Sequence, residues 1–387
     1  MNKKVFLTGG TGFLGSNVAY RLLGAGYDVI FLIRQLAGIT PEERLEEVFK
    51  VIDPNFNLSK YPYQIMTGDI CLPNLGLNAD NFNYLEKHKP KSIFHCAGAT
   101  SFSQKQYDKT WKTNVEGTRN VIAIAQKLEV YLNHISTAYQ VGNSEGTAQS
   151  KIKKASSQHF NNVYEMTKYI SEILVSESGL HYSIYRPGIV IGAKNGRTLN
   201  FSGYYMYQNT FWRLKKFILS HLNQDKKFYN GTGIKLEKGK LNLPINIKSS
   251  FDANLNLVPV DWVANMIVAL SEKNLSDNRV FHLTHPNSPL IKWVILTSLD
   301  IMGITGVKLI NPDENIFGDN NGLREIQKAV NKGICDYESY TNQSHQFDDF
   351  TTKAVLNGCY KKPPDINRAY LEKTLTYAIQ HNFKKQS

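Results

Sequence analysis

The stretch KVFLTGGTGFLGS, residues 4–16, decides how the chain folds. It opens with a short apolar run, the pattern of a buried strand. Gly9, Gly12 and Gly15 follow directly in a GxxGxxG arrangement, with Thr11, Phe13 and Leu14 between them. Glycines at these places let the chain turn tightly and bring backbone N–H groups against a pyrophosphate at a helix N-terminus. A glycine triplet elsewhere would say little. Between a first strand and the helical pattern FLGSNVAYRLLGAG it predicts a dinucleotide site.

Outward from this stretch, apolar runs alternate with amphipathic ones. DVIFLI (28–33), YQIMTG (63–68), KSIFHC (91–96), LNHIS (132–136) and HYSIYRP (181–187) read as further strands. Strands alternating with helices predict an α/β, Rossmann-type doubly wound parallel sheet covered on both faces. The pattern changes after Ile191, then a strand and helix return in LNLVPVDWVANMIVALSEK (255–273), followed by RVFHLT (279–284). The expected organisation is a dinucleotide-binding domain over 1–192, its sheet completed by 251–286. Residues 193–250 and 287–387 would form a smaller, mostly helical substrate lobe.

The strand ends name the candidate ligand contacts. The second strand ends in Arg34, where a site for an unphosphorylated ribose would carry Asp or Glu. A guanidinium suits a 2′-phosphate instead, and Arg44 in PEERLEEV offers a second contact, so NADPH is expected rather than NADH. Asp69 and Ile70 follow the third strand, near the adenine. Ala97, Gly98 and Ala99 in CAGAT follow the fourth and would pass beneath the cofactor.

The fifth strand ends in HISTAYQVG, placing Ser136 and Thr137 at the carboxyl edge of the sheet, where open α/β folds bind substrates. The next helix carries Tyr164 and Lys168 four positions apart in NNVYEMTK. Residues at i and i+4 share a helix face, and a lysine there would lower the phenol's pKa, as a proton donor to a carbonyl requires. That spacing is common in helices; it gains meaning because the glycine loop, hydroxyls, Tyr-x-x-x-Lys and YRPGIVIG stand at successive strand ends. Pro187, Gly188 and Ile189 belong to the last of these.

Composition sets bounds. The chain has 387 residues with 42% hydrophobic and 20% charged, ordinary for a folded protein. Cys71, Cys96, Cys335 and Cys359 lie apart without a Cys/His cluster, so neither structural zinc nor a disulfide framework is expected. The N-terminal apolar run breaks at Gly9–Gly10, unlike a leader, and no apolar run reaches the length of a membrane span. A cytoplasmic protein is expected. The net charge of +12 would attract a phosphorylated substrate, an acidic carrier protein, anionic lipid or nucleic acid. No nucleic-acid-binding signature favours the last.

Together these motifs resemble the extended short-chain dehydrogenase/reductases over nearly the whole chain. FLIR, HCAGATSF, TNVEGT, HISTAYQVG, YRPGIVIG and NLVPVDWVANMIVAL resemble most the branch of thioester reductases and fatty acyl-CoA reductases. The resemblance implies that Thr137, or Ser136 in its place, polarises the substrate carbonyl and Tyr164 donates the proton. It implies that Lys168 binds the nicotinamide ribose, that Pro187, Gly188 and Ile189 line the nicotinamide side, and that Asn114, grouped with the cofactor residues, orients a helix. It implies reduction of an acyl thioester, on coenzyme A or a carrier protein, to an aldehyde or alcohol. A ketone reductase, a sugar-nucleotide epimerase or dehydratase, and a non-catalytic cofactor sensor remain alternatives. FSGYYMYQNTFWRL (201–214) reads either as the wall of an apolar channel or as the core of the lobe. The lysines of 215–248 read either as a site for a phosphopantetheine arm or as plain surface. YESYTNQSHQFDDFTTKAVL, near the C-terminus, carries no assigned chemistry, and the oligomeric state is open, monomer or homodimer.

Overall fold

Seven apolar runs form one sheet: β1 (Lys4–Thr8), β2 (Asp28–Ile33), β3 (Tyr63–Thr67), β4 (Ser92–His95), β5 (Tyr131–Ile135), β6 (Tyr182–Pro187) and β7 (Arg279–Leu283). The computed structural model describes residues 3–144, 146–154, 158–222, 229–273, 277–314 and 320–384. All seven strands run parallel, in the order β7-β6-β5-β4-β1-β2-β3. Both faces are covered, which explains why β2 reads as an unbroken apolar run instead of alternating. Helices α1 (Phe13–Gly24), α2 (Pro41–Ile52) and, later in the chain, Val260–Ser271 cover one face. The other face holds α3 (Ala79–His88), α4 (Gly117–Leu128) and α5 (Val163–Ser176). The chain direction of travel reverses between β1 and β4, and the crevice opened there at the strand ends is where such sheets bind ligands.

Two local features set the geometry of that edge. α2 starts on a capping box in which Thr40 accepts from the Glu43 amide and the Glu43 carboxylate accepts from Thr40, with Pro41 first in the helix. Ahead of α4, the helix Tyr107–Trp111 passes through one wide π turn, Lys112–Glu116, which carries Asn114. Such turns re-aim a side chain that a regular helix would point elsewhere.

A second core lies beyond the sheet, among α6 (Tyr204–His221), Ile291–Ile301, Asn321–Ile334 and Arg368–Gln380. The aromatic stretch 201–214 belongs to it: Phe201, Tyr204, Tyr205, Tyr207 and Phe211 are all buried there. Tyr205 accepts from the Gly192 amide and Tyr204 bonds to Ser298. The core reading of this stretch therefore holds and the channel reading does not. The lobe is also less helical than its sequence suggests. Lys235–Glu237 and Lys240–Asn242 form a hairpin, and Asn246–Lys248 pairs with Lys308–Ile310. The hairpin turns on Lys238 and Gly239, both with positive φ, the two-residue turn whose twist matches antiparallel strands.

The chain then returns to the first domain. Gln346–Phe347 pairs in parallel with Thr147–Ala148, and Ile189–Ile191 with Leu257–Pro259. The segment from Tyr337 to Asp348 is thereby laid along the carboxyl edge of the sheet.

Candidate active site

The glycine loop is built for close approach. Gly9 has φ +78°, and a Cβ there would sit 2.5 Å from the Ala97 amide nitrogen. A Cβ on Gly15 would come within 2.2 Å of the Gly9 carbonyl oxygen, and one on Gly12 within 3.1 Å. The Gly12 amide closes the turn on the Gly9 carbonyl at 2.9 Å. Helix α1 starts at Gly12 with no capping side chain and no acidic residue in its first turn. Its N-terminal amides and dipole are left to an anionic group. Thr11, Phe13 and Leu14 belong to the same turn.

At the end of β2, Arg44 reaches across from α2. Its guanidinium donates to the Arg34 carbonyl at 2.7 Å and to the Thr11 hydroxyl at 3.2 Å. Burial, and then the charge of Arg34, lower its pKa. Neither arginine has an ion-pair partner among the described residues. Asp69 caps its own turn, accepting from the Cys71 amide at 2.9 Å. Ile70 is buried with its side chain against Gly117, so it serves packing under the loop. Asn114 uses both ends of its amide. It accepts from the Ala99 amide at 2.8 Å and donates to the Ala99 carbonyl at 2.9 Å and to Thr167 at 3.0 Å. It thus ties the Ala97–Ala99 loop to α5.

The hydroxyl groups meet at the neighbouring strand end. Thr137 caps the turn Ala138–Val141, its hydroxyl accepting from the Tyr139 amide at 3.3 Å, and lies close enough to the Tyr164 phenol to pull that group's pKa down. Ser136 lies beside it, with a buried hydroxyl that has no partner among the described residues, an orphan group that a ligand would satisfy. Lys168 is buried, donates to the Ile135 carbonyl and lies 3.5 Å from His134. Burial draws its pKa down to about 8, against the upward pull of Glu172. The expectation that Lys168 lowers the phenol's pKa is not met here. Burial pushes Tyr164 up to about 12, opposed by the Thr137 hydroxyl and assisted by the charge of Glu165. The reason is geometric: the ammonium group is spent on the backbone of β5.

On the far side, Pro187, Gly188 and Ile189 are locked by Asn256. A Cβ on Gly188 would meet the Asn256 side-chain oxygen at 2.4 Å, and the Ile189 amide donates to the Asn256 carbonyl at 2.7 Å. A separate cavity of about 430 Å³ runs along Phe13, Tyr20 and Arg21 of α1 to Asp53, Arg197 and Asp261. It includes none of the hydroxyl or lysine residues just described.

Residues 7–267 match the NAD-binding male sterility protein family. The chain belongs to that family. Fatty acyl-CoA reductase wat of Drosophila melanogaster is 29% identical over 227 residues, 49% of this chain and 43% of the relative. Human fatty acyl-CoA reductase 1 is 29% identical over 310 residues, 69% of this chain and 54% of the relative. The chain thus spans about half the length of these curated relatives. Among solved structures, the terminal R domain from the myxalamid PKS-NRPS biosynthetic pathway superposes with a TM-score of 0.72 at 20% identity, covering 99% of this chain and 92% of that one. This likeness shows a shared fold. The glycine cradle, the uncapped helix and the orphan Ser136 hydroxyl fit a nicotinamide dinucleotide, the cofactor class of the family.

Several residues of this family member escaped the sequence reading. Arg186, in the YRPG motif, holds Glu172 bidentately at 2.9 and 2.6 Å with both side chains 2% exposed. It also donates to the carbonyls of Gln149 and Lys151. Glu165, next to the tyrosine, is wholly buried and accepts from Tyr340 at 2.6 Å. The signal was present as buried-strand arginine and first-turn glutamate, yet nothing local names their distant partners. The lysines of the lobe have partners of its own: Lys215 donates to Met302, Lys216 to Asn382, and Lys235 and Lys240 pair with Glu237 and Asp300. Lys226 and Lys227 lie outside the described residues.

Proposed function

We propose that the protein is an NADPH-dependent reductase of an acyl thioester, borne by coenzyme A or a carrier protein, giving an aldehyde or alcohol. The observation that carries the catalytic part is the buried Ser136 hydroxyl at the strand edge, without a partner among the described residues and beside Thr137, whose hydroxyl lies close to the Tyr164 phenol. The fatty acyl-CoA reductases among the relatives support the thioester substrate. The guanidiniums of Arg34 and Arg44 near the end of β2, neither in an ion pair among the described residues, support a cofactor with a 2′-phosphate.

When bound, the cofactor supplies the hydride. The chain supplies the rest. Gly9, Gly12 and Gly15 with the first turn of α1 hold the pyrophosphate, Arg34 and Arg44 the 2′-phosphate, and Asp69 the adenosine side. Thr137 and Tyr164 donate hydrogen bonds to the oxygen of the substrate carbonyl as it gains negative charge. Tyr164, kept protonated by burial, passes its proton to that oxygen when an aldehyde goes on to alcohol. Lys168 would hold the nicotinamide ribose, and an ammonium group there would favour the tyrosinate and lower the phenol's pKa. No helix among the described residues is long and apolar enough to cross a membrane, and four free cysteines suit a reducing compartment, so a cytoplasmic place is part of the proposal.

The test is NADPH oxidation against acyl-CoAs of several lengths, a carrier-bound acyl group, and simple ketones and aldehydes, with products identified by mass spectrometry. Thiol release that disappears in Tyr164→Phe is the expected result. Such a loss is roughly 10²–10³-fold for one hydrogen-bond donor to the developing oxyanion. Turnover of ketones alone would move the protein to the carbonyl reductases.

A further inference from the structure

The segment Tyr337–Phe347 comes from the far end of the chain, yet it packs on the helix turn that carries the proton donor. Tyr340 donates to the Glu165 carboxylate at 2.6 Å and accepts from Asn162 at 2.9 Å. The same carboxylate accepts from the Asn161 amide at 2.9 Å, and Asn162 caps α5. The ring of Tyr340 stacks on Phe102 with centroids 5.1 Å apart and planes 15° apart. Phe102 in turn lies 5.9 Å from the ring of Tyr164 and 5.6 Å from Tyr337. Tyr139, two residues after Thr137, closes the group on Tyr340 at 5.2 Å. The segment is moored on both sides. His345 bonds to the Gly142 carbonyl at 2.9 Å, the Asp348 amide donates to Ala148 at 2.9 Å, and the Ser250 amide donates to Thr341 at 3.0 Å.

We infer that Tyr340 is a positioning residue of the active site: its hydroxyl fixes Glu165 and so the first turn of α5, and its ring holds Phe102 against Tyr164 as an apolar wall for the acyl chain. The inference rests on the thioester reductase reading. Hydrogen bonds to charged groups are the stronger kind, and a carboxylate this buried depends on each donor it has. A small rotation of the first turn of α5 would carry the Tyr164 phenol away from Thr137. The stacked rings give an apolar chain a surface of contact.

Two variants separate the hydroxyl from the ring. Tyr340→Phe keeps the stack and removes the donor. Tyr340→Ala removes both. Each is assayed with a short and a long acyl-CoA and with the free aldehyde of the same chain, and NADPH affinity and thermal midpoint confirm that the protein is folded. Tyr340→Phe is expected to lose kcat by roughly tenfold, the size of one charge-assisted hydrogen bond, at unchanged KM. Tyr340→Ala is expected to lose kcat similarly and to raise KM for the long acyl-CoA far more than for the short one. A Tyr340→Phe protein with wild-type kcat, or a Tyr340→Ala protein whose KM rises equally for both lengths, overturns the inference. Wild-type protein that reduces the aldehyde and no thioester overturns the thioester reading alone, because the aldehyde data still decide the role of Tyr340.

Discussion

The proposed preference for NADPH rests first on Arg34. It stands at the end of β2 with Arg44 beside it, bridging to Thr11. Arg34→Glu should weaken NADPH binding by roughly ten- to a hundredfold, the value of one or two charge-assisted hydrogen bonds, and leave NADH nearly unchanged. Isothermal titration with both cofactors measures it; equal losses for the two would refute the role. A second residue-scale consequence concerns His95, which is buried between Thr8 at 2.8 Å and Thr118 at 3.1 Å. Burial, and then Lys168, lower its pKa to about 3 from 6.5. In the unfolded chain it takes a proton as the pH falls through 6.5, and in the fold it resists until about 3. Its contribution to stability is therefore complete above 6.5 and is lost at about 1.4 kcal/mol per pH unit across that window. Urea midpoints of His95→Gln should fall less steeply with acid than those of the wild type.

At the scale of elements, Asn114 is the joint between the Ala97–Ala99 loop and α5. Asn114→Ala leaves a backbone amide, a carbonyl and the Thr167 hydroxyl without this partner. It should cost about 2–4 kcal/mol in urea unfolding and reduce kcat more than NADPH affinity. A loss of affinity alone would place Asn114 among cofactor contacts instead. The elements of the sheet were legible because each parallel strand is an apolar run bounded by turn residues, and strand ends shifted by a residue at most for β1, β2 and β3. The glycine loop was legible because backbone approach demands glycine at fixed spacing. The lobe was harder: its short strands at 235–248 pair with residues near 304–310, and no periodicity over three residues can announce a partner sixty positions away. The aromatic wall was invisible for the same reason. Phe102, Tyr139, Tyr164 and Tyr340 are joined only by folding.

For the whole molecule, the buried pair Arg186–Glu172 is the anchor between β6, α5 and the Gln149–Lys151 loop. Arg186→Met strands the Glu172 charge and should destabilise the fold by about 3–5 kcal/mol. Glu172→Leu added to it should recover part of the loss, since removing both charges ends the desolvation penalty. Chemical denaturation of the single and double variants decides it; a double variant no better than the single would show that the arginine acts through the loop carbonyls alone. The pairing of Thr147 with Gln346 joins positions 199 residues apart. On the ribosome, the glycine cradle and the tyrosine are complete long before that partner strand emerges. The aromatic wall beside Tyr164 thus arrives only with the late-made segment, after every residue of the glycine cradle has been synthesised.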